Sequence, residues 1–526
     1  MRLWSKSQGM GLAAVIVGTS VLISRFMGLV RDKVISYWFG ASIDSDLYFA
    51  AFVIPDFINY LLAGAYFSIT LIPILSRLFQ EDERDGWNFF SAALFWVFSA
   101  ITILTILGEI FADQIVPYVA PGFGSNDLYR LTRFVRIILP AQICFLVGSC
   151  FSAVLYLRKQ FVVPSLSPLI YNGGIIILGI FLRHHGIEGF CWGVLVGAFG
   201  GNFLLPFLAA KYGKNSSMNL SFRLWHREMK RFIVTAVPLM VGQSIVVLDE
   251  QLVRVFGSFA GSGTISHINY ARRLMMVPVG IVGQAVAVAS YPFMAELLAQ
   301  KKMKEFFQTI REAIKNTMLI IIPLAFGMAA VAEPAVGLIF QQGKFELSDT
   351  VKTARLLQLY LTAVPLWAFQ QILGRGFYVA GDTLSPVVIG TITTIIALPM
   401  FFAGSRYLGG EGVVGASVIG FLLYSVALIF WWMRRWNGKE TFEGLARDFF
   451  KYIVAGGIAF VLSSKFSDLL KNFFSFGFSL FDYLITGLAT GIFFCMVWFG
   501  CAMVLFKNEM FWLVSRLTKG RIGIRR

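Results

Sequence analysis

Charge is scarce in this chain. Only 14% of its 526 residues are Asp, Glu, Lys or Arg, against 57% hydrophobic, whereas soluble domains carry about 25% charged residues. No stretch reads as a soluble domain. Cysteine and histidine are few, at five and four. Cys144, Cys150, Cys191, Cys495 and Cys501 all sit in apolar runs with no histidine cluster nearby. That spacing excludes a disulfide framework and a zinc site, and no metal is expected. No Walker A sequence occurs, so no internal ATPase is expected. HREMK at 226–230 is not HExxH. GGEGVVG at 409–415 contains a GxGxxG match, but it lacks a preceding strand and reads as a loop. The sequon NSS at 215–217 falls on the side expected to face the cytoplasm. Nothing assembles a nucleophile, a base and an oxyanion hole. Neither an enzyme nor a bound cofactor is expected.

What the chain has is apolar runs of about 20 residues from end to end, each long enough to cross a bilayer. A transmembrane barrel would show short alternating segments instead. The pattern predicts an all-α polytopic membrane protein. Fourteen spans are read, at roughly 11–31, 46–76, 88–112, 134–157, 163–182, 188–210, 232–256, 267–296, 313–333, 355–380, 385–405, 413–434, 449–470 and 482–507. The first run continues through Arg25 to Arg31 without a cleavage signal, so it reads as an uncleaved helix. Spans two and eight are long and contain Pro55 and Pro278, where kinks are expected.

The net charge is +16, but its distribution argues against nucleic acid as a partner. With the N-terminus placed in the cytoplasm, 28 Lys and Arg fall on the cytoplasmic side and about 12 on the outer side. That bias supports an even number of spans and both termini inside. Five cations remain within spans: Arg25, Arg254, Arg272, Arg273 and Arg375.

The longest polar interruption before the last helices is 211–231. It predicts an N-terminal lobe over 1–210, a cytoplasmic linker over 211–231 and a C-terminal lobe over 232–434. Two further helices and a basic tail would fill 435–526. The stretch AELLAQKKMKEFFQTIREAIKN, 295–316, reads as a basic amphipathic helix lying on the inner membrane surface. A weak internal echo links the halves. Span one ends near YWFG and span seven near RVFG, and each is followed by a long helix holding two prolines, Pro55 and Pro73 or Pro278 and Pro292. Transporters are often built from two such related bundles with the substrate between them.

An arginine near the bilayer centre costs roughly 2.5–3.5 kcal/mol on insertion scales, so it usually has a function. Arg25, Gly28 and Asp32 share a helix face, and Gly28 leaves room beside Arg25. Arg31 lies nearer the outer end of span one, and Arg272 with Arg273 sits at a similar depth in span eight. Both bundles would thus offer arginine to a central cavity, where a diphosphate suits the planar guanidinium fork. The plainer alternative is that Arg25 snorkels to the interface or pairs with Asp32 or Asp46. Asp249 and Glu250 are intramembrane acids and candidates for sodium or proton coupling. Their plainer reading is an internal pair of Glu250 with Arg254.

These residues resemble the MurJ/MviN family of lipid II flippases, in the same superfamily as the MATE exporters. SRFMGLVRD, FGASIDSDLYFAAFVIP, LAGAYFSITLIPILS, APGF at 120–123, FVVPSLSPLIYN at 161–172, YARRLMMVPVGIVGQAV at 270–286, LIFQQGKF at 338–345 and GRGFYVAGDTLSP at 374–386 carry the likeness in order. The resemblance implies two six-helix lobes around a central cavity, plus a last helix pair that helps form a groove for a polyprenyl tail. It implies a diphosphate site on Arg25, Arg31 and Arg273, and Arg272, by its own depth in span eight, is expected to support them. Gly28, Asp32, Asp46, Asn59, Pro55 and Pro278 would form the cavity and its gates. The family commonly has an arginine pair after the span-two proline, where this chain has Asn59 and Tyr60, and often an acid where this chain has Arg272. Some members hold sodium between helices seven, eleven and twelve, but spans eleven and twelve here supply no Asp or Asn.

The expected activity is movement of lipid II across a bacterial cytoplasmic membrane by alternating access, using the membrane potential. The expected partners are lipid II or a related undecaprenyl-diphosphate lipid, membrane lipids and cell-wall synthesis enzymes, with the chain a monomer. The alternatives are a flippase for another undecaprenyl-linked oligosaccharide, an ion-coupled exporter of the MATE type, and a scaffold.

Overall fold

The computed structural model describes residues 8–62, 64–213, 218–243, 248–473, 479–511 and 515. The sequon at 215–217 and the basic tail from 516 lie outside the described residues. Among the described residues the regular structure is helical throughout. Packing divides the chain into two compact units, Met1–Ser266 and His267–Arg526.

Eleven helices among the described residues are long and apolar enough to cross a membrane. They coincide with spans one, three to six and nine to fourteen. No single helix described in the three remaining apolar runs is long and apolar enough to cross a membrane. Span two holds Ile43–Ala50, Val53–Leu62 and Gly64–Glu81, with a break at Ala51–Phe52. Span seven holds Met229–Gln243 and Leu248–Gly257, and 244–247 lie outside the described residues. Span eight runs as Thr264–Pro278, a π-helical turn Val279–Gly283, and Gln284–Ala299. Both expected kinks are therefore present as changes of helix. Pro55 has no N–H, and its ring excludes the carbonyl four residues back, at Ala51; the helix breaks at Ala51–Phe52. Immediately after Pro278 the backbone takes the wider π turn.

The first unit holds span seven as well as spans one to six, because Met229–Gln243 packs against the pieces of span two. The polar stretch before it is tied to the same unit. His226 Nε2 and Arg227 Nη2 meet the Asp85 carboxylate at 3.2 and 3.0 Å. Arg77 pairs with Glu228 at 2.7 Å. The Trp96 indole donates to the Leu224 carbonyl at 2.7 Å.

Two sequence expectations are corrected. The stretch 295–316 is not a separate surface helix. Its first residues end span eight, a turn with Lys301 at φ 59° follows, and Met303 begins the continuous helix Met303–Ala330. The amphipathic face of that start is buried on protein: Phe306, Phe307, Ile310 and Ile314 are all buried. Phe306 and Phe307 pack on the Trp432 ring at 6.1 and 6.0 Å. A stripe of this kind fits a core as well as it fits a membrane surface. GGEGVVG is likewise not a loop. It forms the opening turns of the helix Gly409–Trp436.

The glycines of that segment serve packing. Spans eleven and twelve run back to back, and a Cβ on Gly412 would lie 2.1 Å from the Gly404 carbonyl oxygen. Small residues let membrane helices approach to this distance. Gly412→Val should therefore destabilise the hairpin by about 1–3 kcal/mol, the usual range for overpacking. Gly415→Ala, where a Cβ meets nothing within 4 Å, should be neutral. Thermal unfolding in detergent checks this, and equal behaviour of the two variants would refute the close approach.

Candidate functional site

Span one is a single helix, Met10–Phe39. On it Arg25 is exposed, while Gly28 and Asp32 are buried. Arg31 points elsewhere, because six residues turn a helix by about 600°, roughly 240° net. The Arg31 guanidinium forks onto its sequence neighbour: Nε and Nη2 donate to Asp32 Oδ1 at 3.0 and 2.9 Å. Nη1 donates to Asn172 Oδ1 on span five at 3.4 Å. Asn172 Nδ2 is anchored in turn on the Pro168 carbonyl at 2.9 Å. The Asp32 side chain is fully buried, whereas Arg31 keeps 13% exposure. Asp32 thus offsets the cost of holding Arg31 in apolar surroundings and fixes its plane. A guanidinium carries five N–H groups, so the three bonds above leave two that can meet an anion.

Asp46 occupies the first turns of Ile43–Ala50 and is fully buried. Its carboxylate takes the Gly263 amide at 2.6 Å, the Ser266 amide at 2.7 Å and the Ser266 hydroxyl at 2.6 Å. Ser266 Oγ also lies 2.8 Å from Ser45 Oγ. The two amides are orphan N–H groups at the start of the helix Thr264–Pro278. Asp46 therefore caps span eight from another helix, where a negative charge is favoured. Gly263 has φ +82°, and a Cβ there would lie 2.4 Å from the Ala41 carbonyl oxygen. A side chain at 263 would be strained and would push the segment off its cap. The APGF turn reaches the same region, with the Gly122 amide donating to Ser258 Oγ at 3.1 Å.

Deeper in span two, Asn59 Nδ2 donates to Gln142 Oε1 on span four at 2.8 Å. One turn earlier, Asp56 accepts from Arg254 Nη1 at 2.8 Å. Arg254 Nη2 donates to Glu250 at 2.6 Å. The internal pair of Glu250 with Arg254 is thus formed, and it extends across to Asp56 on span two. Asp249 is half-buried beside it. Pro55 is buried at the start of Val53–Leu62.

In the second unit, Arg272 and Arg273 are half-buried and Pro278 is buried. The helix that carries them is fixed through Tyr270, whose ring lies 4.9 Å from Phe340 and 5.7 Å from Phe345. The segments YARRL and LIFQQGKF, quoted above for the resemblance, therefore meet. Gln341 accepts from Thr350 Oγ1 at 2.7 Å and from the Tyr483 hydroxyl at 2.6 Å. It ties the last span to the same corner.

Asn172, Asp56 and Ser266 were not among the site residues expected from the sequence. For Asn172 and Asp56 a signal existed, since each is a polar residue inside an apolar run. Ser266 carried none, because only the fold brings it to Asp46.

A family model described as "Lipid II flippase MurJ" matches residues 35–484. The chain belongs to this family. It is 27% identical to the lipid II flippase MurJ of Burkholderia cenocepacia, covering 88% of this chain and 90% of that one. It is 25% identical to the probable lipid II flippase MurJ of Borreliella burgdorferi, covering 96% and 98%. Among solved structures, a lipid II flippase MurJ in an inward closed conformation superposes with a TM-score of 0.76 at 21% identity, over 94% of this chain and all of that one. An inward-facing MATE multidrug transporter superposes with a TM-score of 0.69 at 16% identity, over 82% and 99%. The fold is thus shared by the MurJ family and the MATE transporters.

Asp46→Ala should free three donors at the start of span eight and cost about 3 kcal/mol locally, from the usual size of charged and orphaned hydrogen bonds. Hydrogen exchange of the 261–268 segment should quicken about 100-fold. Asp46→Asn, which keeps one acceptor, should show a smaller change. Unaltered exchange in the alanine variant would show that Asp46 is not the cap.

Proposed function

We propose that this chain moves lipid II, the undecaprenyl-diphosphate-linked peptidoglycan precursor, from the inner to the outer leaflet of the bacterial cytoplasmic membrane. The observation that carries the reading is Arg31: a guanidinium in an apolar helix, neutralised by Asp32, oriented by Asn172, and left with two N–H groups for an anion. The family match supplies the substrate class. Arg25, Arg31 and Arg273 grip the diphosphate, with Arg272 in support, while the polyprenyl tail stays in lipid. Both termini face the cytoplasm, as the distribution of Lys and Arg favours. Carrying negative charge outward gains about 2.3 kcal/mol per charge per 100 mV across an inside-negative membrane. The potential can therefore drive the cycle, with Asp249 and Glu250 available for proton or sodium coupling.

A second reading, a flippase for another undecaprenyl-linked oligosaccharide, is favoured by one feature. Asn59 and Tyr60 stand where the family commonly has arginines. The diphosphate chemistry would be unchanged, and the sugar would differ.

In proteoliposomes with an imposed inside-negative potential, Arg25→Ala/Arg273→Ala should lower lipid II translocation more than about tenfold while insertion stays normal. Collapsing the potential with an ionophore should slow the wild type. Full transport by the double variant would sink the arginine grip. Native mass spectrometry of gently purified protein separates the two readings. Bound lipid II supports the first, and a different lipid-linked oligosaccharide supports the second.

A further inference from the structure

The second unit contains a cavity of about 710 Å³ that plays no part in the reading above. It lies among spans nine, ten, twelve and thirteen, and its walls are almost wholly hydrocarbon: Ile322, Phe326, Leu366, Phe369, Val426 and Ile453. Of the final helix pair span thirteen lines it, and among the described residues the last helix, Ser479–Leu505, does not. The volume falls in the range of ligand sites, about 300–1,000 Å³. Its lining on span ten runs from Arg355 to Phe369, across the turn at Thr362–Ala363 between the helices Leu347–Leu361 and Val364–Val379.

Its mouth is open to the apolar exterior. Leu422, Val426 and Ile453 at the rim are 47%, 56% and 50% exposed. The first unit has a smaller cleft of about 330 Å³ among spans three, four and six, where linker residues Leu220 and Phe222 contribute to the wall. The cavity of the second unit, with span thirteen in its wall, is more than twice as large. An empty cavity forfeits the dispersion contacts of every lining atom. Most of its wall offers water no hydrogen-bond partner. Inside a bilayer the remaining filler is a lipid chain.

One end of the cavity carries an arginine–glutamate ion pair with an exposed lysine beside it. Arg355 lines it, with 68% of its side chain exposed and Nε on Glu411 at 2.7 Å. Lys352, one turn earlier on the same helix, is exposed as well. We propose that this cavity binds an acyl chain of an anionic membrane phospholipid, with the phosphate of its headgroup at Arg355 and Lys352. None of Arg25, Arg31, Arg272 and Arg273 lines it, and the proposal does not depend on the transport reading.

The test uses the full-length protein in nanodiscs doped with phosphatidylglycerol bearing a diazirine on one acyl chain. After photolysis, peptides covering 318–329, 355–369 and 422–429 should carry most of the label. Val426→Trp fills the mouth and should lower their labelling about tenfold, the effect of a 1.4 kcal/mol loss. Leu422→Trp should act alike, and Ile396→Trp, on an exposed face of span eleven outside the cavity, should not. Arg355→Gln should reduce the preference for this probe over its phosphatidylcholine counterpart about threefold. Even labelling of all lipid-facing helices would overturn the proposal, as would labelling indifferent to both tryptophans or equal use of the two probes by wild type. Competition by an undecaprenyl diphosphate lipid, with none by unlabelled phosphatidylglycerol, would also overturn it and reassign the cavity to a polyprenyl chain.

Discussion

An ion or polar group in an apolar interior must find its partner within the protein, and the polar architecture of this chain follows from that constraint. Arg31 is tolerated because Asp32 is adjacent and Asn172 reaches across from span five. Asp56 and Glu250 are tolerated because Arg254 lies between them. Asp46 is tolerated because the unsatisfied amides at the start of span eight converge on it. Each cluster joins helices distant in sequence, so each also acts as a tertiary tie. Among these groups Arg31 combines a held plane with donors left over, which is what recognition of an anion asks for.

The same constraint accounts for the broken helices. A helix satisfies its own backbone, and an interruption inside apolar surroundings needs compensation. Span two breaks at Ala51–Phe52 and carries the acids Asp46 and Asp56, and span eight takes a π turn at Val279–Gly283. At the start of span eight the Asp46 carboxylate completes the hydrogen bonding of the Gly263 and Ser266 amides. In many transporters, discontinuous helices are the ones that form the substrate site.

Much of the fold was legible in the sequence. Apolar runs of sufficient length mark eleven helices that the structure contains, because span length is set by bilayer thickness rather than by packing. Pro55 and Pro278 marked two of the interruptions, because a missing N–H acts locally. The errors lay where a local pattern has two tertiary outcomes. An amphipathic stripe at 303–316 can lie on a membrane or against Trp432, and the sequence does not distinguish these. Glycines at 409–415 can loosen a loop or let two helices touch, and the touching partner, Gly404, is known only once the hairpin is folded.

The candidate site divides in the same way. By itself the sequence determined which residue types lie inside the apolar runs, since an arginine or acid among twenty apolar residues is visible without any structure. It determined the family as well, through motifs that stay in order along nearly the whole chain. Only the tertiary structure decided which charge meets which. Arg31 pairs with Asp32 while Arg25 stays exposed, Arg254 reaches Asp56 almost two hundred residues away, and Asp46 caps a helix more than two hundred residues on. Partner choice depends on which faces of distant helices are brought within 3 Å. Helical spacing fixes the direction of a side chain about its own axis, and packing fixes what it finds there.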